Sequence, residues 1–119
     1  MLDAVVGRYV EAVAAVVDEA LGAATVGVYV HGSAARNDLD LATSDIDVLV
    51  VSAESLDTEE KHGLAARLSN AALPCPAAGG LELGIVTRES AATASKAPFF
   101  ELDLSTRAGR GDRITDGAA

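Results

Sequence analysis

Two aspartates separated by one residue, Asp45 and Asp47, have the spacing that most directly suggests chemistry. Side chains at positions i and i+2 of a β-strand leave the same face, about 7 Å apart along the strand. Ile46 would then point to the opposite face, into the core. Two neighbouring carboxylates repel each other unless a cation lies between them, and Mg²⁺ takes such oxygen ligands together with substrate phosphates. The pair therefore predicts a metal site; the alternative is a solvent-facing acidic start to a strand.

Gly32 and Ser33 follow an earlier β-rich segment and are candidate phosphate contacts. A glycine lets the backbone approach a phosphate closely, and a serine adds a hydroxyl and an N–H as donors. Alone, the dipeptide is typical of an ordinary turn. Arg36 and Ser44 are further candidates, for touching a phosphate and for orienting a ligand. Each has a plain alternative, which is solvation for the arginine and turn hydrogen bonding for the serine.

Glu82 is a charged residue in an otherwise apolar segment at 81–87. A carboxylate in such a strand is costly to bury unless it is paired or bound to a metal. If this strand lies beside the one that carries Asp45 and Asp47, three carboxylates converge on one patch. The alternative is that Glu82 faces water on an edge strand.

The elements that must position these residues predict an α/β (α+β) domain, a small mixed sheet flanked by helices. Hydrophobic periodicity and β-branched runs predict a helix at 2–21, strands at 26–30 and 45–51, a second helix at 57–72, and strands at 81–87 and 99–104. Residues 1–106 would form the domain. Residues 107–119 would form a polar tail or the start of a linker, because they offer no apolar face to bury.

Length and charge restrict the function further. The chain has 119 residues, a formal net charge of −9 and one cysteine, Cys75. The acidic balance argues against a nucleic-acid partner and favours metal ions or polycationic substrates, unless it only keeps the domain soluble. No apolar run of about eighteen residues occurs, so no membrane partner is expected. The lone cysteine and the lack of a basic amino-terminal leader favour a cytoplasmic location.

These motifs resemble the signature of the DNA polymerase β-like nucleotidyltransferase superfamily. The resemblance lies in a strand ending in His31-Gly-Ser33, a loop, and the run Asp45-Ile-Asp-Val-Leu-Val50, with Glu82 as the third carboxylate on a later strand. A closer resemblance is to the aminoglycoside adenylyltransferases of the streptomycin/spectinomycin type. It is carried by Leu81-Glu-Leu-Gly-Ile-Val-Thr87 and Pro98-Phe-Phe-Glu-Leu102, within a similarity that runs from about residue 26 to 106.

The resemblance implies transfer of AMP from ATP to a hydroxyl, with Mg²⁺ as cofactor and ATP as co-substrate. Gly32 and Ser33 would hold the β- and γ-phosphates. Asp45 and Asp47 would be catalytic metal ligands. Glu82 would either complete the metal site or accept the proton of the acceptor hydroxyl, and the resemblance favours the second role because the antibiotic-modifying relatives use the equivalent glutamate as base.

The acceptor implied by the resemblance is a small-molecule aminoglycoside. Those enzymes carry a helical carboxy-terminal domain that completes the acceptor pocket, and this chain stops before one could form. It would then be a fragment, or a stand-alone minimal nucleotidyltransferase that resembles antitoxin components and modifies a hydroxyl of a partner protein. An inactive module that binds nucleotide or a partner is the third hypothesis. An incomplete site could also expose apolar surface that drives homo-oligomer formation.

Overall fold

The fold is a five-stranded sheet with helices packed against it, in a computed structural model that describes residues 4–31, 40–92, 100–107 and 111–116. The elements are α1 (Ala4–Leu21), a 3₁₀ turn (Gly22–Ala24), β1 (Thr25–His31), β2 (Ile46–Ser52), α2 (Thr58–Leu68), β3 (Leu81–Thr87), α3 (Arg88–Ala92), β4 (Phe100–Arg107) and β5 (Gly111–Asp116). The strand order in the sheet is β1-β2-β3-β4-β5. Strands β2 and β3 are parallel and the other neighbours are antiparallel. This mixed α+β sheet confirms the predicted fold class.

One hydrophobic core lies between the sheet and helices α1 and α2. Helix α1 contributes one face of buried residues at three- and four-residue steps: Val6, Tyr9, Val13, Val17 and Leu21. The strands contribute alternate residues: Ile46, Val48 and Val50 from β2, Leu81, Leu83 and Ile85 from β3, and Leu102 and Leu104 from β4. The residues between them face the other side of the sheet. Among the described residues, no helix has both the length and the apolar character needed to cross a membrane.

Helix α2 is shorter than the sequence predicted, ending at Leu68 rather than near residue 72. Its start is fixed by a capping box, in which Asp57 accepts from the Glu60 N–H and the Glu60 side chain accepts from the Asp57 N–H. After Leu68 the Ser69 hydroxyl donates to the Ala66 carbonyl and accepts from the Ala72 N–H. These local hydrogen bonds compete with further helical turns.

Besides the short 3₁₀ turn, one helix and one strand were not predicted. Helix α3 follows β3 directly, and the Thr87 hydroxyl caps it by accepting from the Ser90 N–H. Strand β5 pairs with β4 in antiparallel register, from Leu102 opposite Asp116 to Arg107 opposite Gly111. The sheet therefore continues past the boundary predicted at residue 106, into the segment predicted to be a polar tail. A strand at the edge of a sheet gains its main-chain hydrogen bonds without needing an apolar face of its own.

Candidate active site

Asp47 and Glu82 are brought together by the parallel pairing of β2 and β3. They are register partners, and each is the second residue of its strand. Their flanking residues Ile46, Leu81 and Leu83 are fully buried, whereas the two carboxylates are half-buried on the opposite face. Neighbouring strands lie about 4.8 Å apart, so the two acidic side chains stand next to each other. The hypothesis that these strands are adjacent is thus confirmed.

Asp45 lies one residue before β2 and is half-buried. The predicted alternation holds, because Ile46 between the two aspartates is fully buried. A row of residues crosses the sheet at the level of Asp47. In strand order its members are His31, Asp47, Glu82, Ser105 and Arg113. The end of β1, just before the predicted phosphate contacts, is therefore next to the start of β2.

A hydrogen bond holds the Glu82 carboxylate. The Ser105 hydroxyl on β4 donates to Glu82 Oε1 over 2.8 Å. Ser105 is 7% exposed, and it is the register partner of Glu82 across the antiparallel β3–β4 pair. The carboxylate of Glu82 is thus held from the β4 side, the side away from β2 and Asp47.

An open cavity of about 460 Å³ lies beside Glu82 over strands β3 to β5. The described residues that line it are Glu82, Asp103, Ser105, Ile114 and Thr115. Its volume is within the range of small-molecule sites, roughly 300–1,000 Å³. Of these five described residues, two are carboxylates and two carry hydroxyls. The described part of the lining therefore offers negative charge and hydrogen-bonding groups to a ligand.

The backbone at Asp45 is held by the turn that leads into β3. The Gly79 N–H donates to the Ser44 carbonyl and the Ile46 N–H donates to the Gly80 carbonyl, both over 2.8 Å. A Cβ on Gly79 would lie 2.7 Å from the Ser44 carbonyl oxygen and 2.8 Å from the Asp45 nitrogen, so glycine is required there. Gly80 has φ of 79°, a conformation that also favours glycine. This glycine pair lets the two strands start side by side.

Ser44 takes part in a turn that begins at Asp40. The Ser44 N–H donates to the Asp40 carbonyl over 2.8 Å, and its hydroxyl accepts from the Asp40 N–H over 3.3 Å. The Asp40 carboxylate in turn accepts from the Ala42 N–H over 3.0 Å. The structure thus places Ser44 in the turn-bonding alternative weighed from sequence, and its contact with nucleotide stays a prediction. Gly32, Ser33 and Arg36 lie outside the described residues.

The oxygen donors for a divalent cation are present only in part. Within the described ranges, no three His, Cys, Asp or Glu side chains lie close enough together to hold a metal ion. Asp45 and Asp47 offer the hard oxygen ligands that Mg²⁺ takes together with substrate phosphates. The pair fits the protein's share of such a site. The assignment of Asp45, Asp47 and Glu82 as metal ligands stays a prediction.

Cys75 lies near the site without belonging to it. Burial raises the pKa of its thiol, and the nearby Asp45 carboxylate acts in the same direction. Hydrogen bonds from the Ala77 backbone and the Tyr9 side chain lower that pKa by less. A protonated thiol is a poor nucleophile, so these surroundings favour a structural rather than a catalytic role for Cys75.

Sequence reasoning missed the residues that surround Glu82 on its β4 side. Ser105, Asp103 and Thr115 belong to β4 and β5, and the predicted fourth strand ended one residue before Ser105. A usable signal was present, because β4 and β5 are separated by a three-residue connection that contains Gly109, a spacing typical of a hairpin.

Asp47 and Glu82 thus stand at the start of two parallel strands, beside an open cavity. A family model described as a nucleotidyltransferase domain matches residues 11–91. The match covers more than half of the chain, and the chain belongs to that family.

A solved structure with a similar fold is spectinomycin adenyltransferase AAD(9) from Enterococcus faecialis, crystallised with ATP and spectinomycin. The TM-score is 0.65 at 19% sequence identity, and the similarity covers 93% of this chain and 41% of that protein. The chain thus spans less than half the length of its structural neighbour, and the likeness supports the fold. A comparison with curated proteins found no match.

Proposed function

We propose that this chain transfers AMP from Mg²⁺-ATP to a hydroxyl of a small cationic acceptor of the aminoglycoside type. The observation that carries the proposal is the register pairing of Asp47 with Glu82 beside the cavity on β3 to β5. Membership of the nucleotidyltransferase family supports the reaction class. The spectinomycin enzyme with the same fold supports the acceptor class.

Asp45 and Asp47 are the residues that would hold the metal ion. When bound, Mg²⁺ supplies positive charge that neutralises the phosphates during transfer. The protein contributes a fixed backbone position for both aspartates, because Ile46 anchors the strand in the core and the Gly79–Gly80 turn holds the backbone at Asp45. Gly32 and Ser33, with Arg36 and Ser44, are proposed nucleotide contacts on the basis of the sequence.

Glu82 is proposed to act as general base. In the transfer, the acceptor hydroxyl oxygen forms a bond to the α-phosphorus of ATP, the bond from that phosphorus to the pyrophosphate oxygen breaks, and the hydroxyl proton passes to the Glu82 carboxylate. The hydrogen bond from Ser105 on the side away from Asp47 favours this role over completion of the metal site. A base at the edge of the cavity lies where an acceptor hydroxyl would enter.

The described residues that line the cavity support a cationic, hydroxylated acceptor. Glu82 and Asp103 supply negative charge, while Ser105 and Thr115 supply hydroxyls. The net charge of −9 acts in the same direction, since an acidic surface attracts polycations at a distance. An anionic acceptor would meet repulsion from the Glu82 and Asp103 carboxylates.

The direct test is product formation by the chain itself. The protein is incubated with Mg²⁺-ATP and either spectinomycin or streptomycin, and mass spectrometry detects the adenylylated antibiotic while a coupled assay follows pyrophosphate. We expect an AMP adduct that disappears in Asp47→Asn and persists in Asp18→Asn, a variant of an exposed aspartate on α1. Binding of Mg²⁺-ATP without any adduct would overturn the aminoglycoside proposal.

A further inference from the structure

We infer that Ser105 is a positioning residue for the transfer reaction, acting through Glu82; the inference rests on the proposed function. No motif in the sequence singled out this serine. It is nevertheless the residue that fixes the carboxylate proposed as the base. Its hydroxyl donates to Glu82 Oε1 over 2.8 Å.

The serine is itself held rigidly. Ser105 is paired with Glu82 on β3 and with Arg113 on β5, so its backbone lies inside the sheet. With 7% of its surface exposed, the side chain has little room to adopt other rotamers. Its hydroxyl is thus a donor whose place is set by the fold, which is the property that a positioning group requires.

The hydrogen bond selects one orientation of Glu82. A glutamate side chain has three rotatable bonds, and fixing them costs rotamer entropy. The bond from Ser105 holds the carboxylate toward the cavity on β3 to β5 before the acceptor arrives. Because Ser105 engages Oε1, we assign Oε2 as the oxygen that receives the acceptor proton. Small misplacements of a catalytic group lower transfer rates strongly.

The polarity of the bond also matters for the role of Glu82. An ionised carboxylate can accept hydrogen bonds but cannot donate them. The Ser105 hydroxyl therefore acts as the donor in this bond. The lone pairs of the Ser105 hydroxyl can also accept a hydrogen bond that a hydroxyl of the bound substrate donates. Ser105 therefore links the base to the cavity without taking a proton itself.

The test compares Ser105→Ala, which removes the donor, with Ser105→Thr, which keeps it. Transfer of AMP from Mg²⁺-ATP to spectinomycin is measured under single turnover, and ATP affinity is measured by calorimetry. We expect Ser105→Ala to lower the transfer rate about ten- to a hundredfold while ATP affinity stays within twofold, and Ser105→Thr to restore most of the rate. Ser55→Ala, in the exposed loop before α2, is the matched serine control. If Ser105→Ala does not fold, Ser105→Cys keeps the shape with a weak donor and replaces it.

A double-mutant cycle separates positioning from a structural role. If Ser105 acts through Glu82, Ser105→Ala causes no further loss in a Glu82→Gln background. Parent-like transfer by both Ser105→Ala and Ser105→Cys, or equal losses in the two backgrounds, would overturn the inference and leave the proposed function intact. Absence of transfer by the parent with spectinomycin and streptomycin would overturn the proposed function and the role of Ser105 with it.

Discussion

Asp47 and Glu82 face each other as register partners on the two parallel strands of the sheet. Their separation along the chain is 35 positions, yet the pairing of β2 with β3 places them one strand spacing apart, about 4.8 Å. The β2-α2-β3 connection is what brings this about, because a helical crossover returns the chain to a parallel neighbour. The site is therefore a product of the sheet rather than of one loop.

The role of Glu82 can be decided by Glu82→Gln. If Glu82 is the general base, this substitution should lower the transfer rate by about 10²–10⁴ while leaving Mg²⁺-ATP affinity unchanged. If Glu82 is a metal ligand, the substitution should weaken Mg²⁺-ATP binding as well. We expect the first result, measured by single-turnover AMP transfer alongside calorimetry. Asp103→Asn, in the same cavity, serves as a comparison for loss of charge without loss of the base. A Glu82→Gln variant that transfers AMP at the parent rate would exclude both roles.

The contact between Gly79 and the backbone at Ser44 and Asp45 predicts a sharp response to Gly79→Ala. The added Cβ would lie 2.7 Å and 2.8 Å from backbone atoms that cannot turn aside. We expect a loss of about 1–3 kcal/mol in the free energy of unfolding, the usual range for overpacking, and weaker Mg²⁺-ATP binding as Asp45 is displaced. Urea denaturation and calorimetry measure the two effects.

Gly63→Ala is the matched control for that experiment. Gly63 lies in α2, and a Cβ there would meet nothing within 4 Å. Alanine should raise the free energy of unfolding by about 0.5–1 kcal/mol through helix propensity and leave nucleotide binding unchanged. Equal losses of stability in the two variants would contradict the close approach at Gly79.

The sequence was sufficient to predict the elements whose hydrophobic pattern is strong. Helix α1 and strands β2 and β3 lie within one or two residues of their predicted bounds, because their buried residues follow a clear period. The candidate carboxylates could be named because Asp45 and Asp47 have the i, i+2 spacing of one strand face and Glu82 interrupts an apolar segment. Whether the three carboxylates converge depends on which strands pair. The sequence predicted convergence only if the Glu82 strand lies beside the strand that carries the aspartates.

What the sequence did not predict depends on non-local contacts. Strand β5 carries few apolar residues, and its pairing with β4 is made by the main chain. Because β4 was expected to end at Leu104, Ser105 was not considered as a site residue. Its hydrogen-bond partner Glu82 is 23 positions away, on β3. The need for glycine at position 79 likewise comes from the nearby backbone of Ser44. That contact is distant along the chain, so no local sequence pattern predicts it.

Glu101 is expected to contribute to stability rather than to transfer. Glu101 is 6% exposed, and its carboxylate accepts from the Leu56 N–H over 3.0 Å, which ties β4 to the segment before α2. Glu101→Ala leaves that buried N–H without its acceptor, so the free energy of unfolding should fall by about 1–3 kcal/mol. Denaturation monitored by circular dichroism checks this, with Glu11→Ala on the exposed face of α1 as control. A Glu101→Ala variant as stable as the parent would show that water replaces the carboxylate.

The Cys75 thiol should react slowly and in a pH-dependent way. Burial raises its pKa above that of an unfolded cysteine, so less thiolate is present in the folded protein at mildly alkaline pH. Labelling with a disulfide reagent at pH 8 should be several-fold slower in the native protein than in urea. By linkage, this cysteine favours folding below the unfolded pKa, and the contribution is lost as pH rises through the folded pKa. Equal labelling rates in the folded and unfolded protein would contradict the raised pKa.

The most direct test of a metal site on Asp45 and Asp47 is calorimetric measurement of ATP binding with and without Mg²⁺. It compares the parent, the double variant Asp45→Asn/Asp47→Asn, and the control Asp18→Asn/Glu11→Gln, which removes the same charge from exposed positions of α1. We expect Mg²⁺-dependent ATP binding in the parent and the control, and its loss in the Asp45/Asp47 variant. Binding of Mg²⁺-ATP by that variant as tight as by the parent would contradict a metal site on the two aspartates.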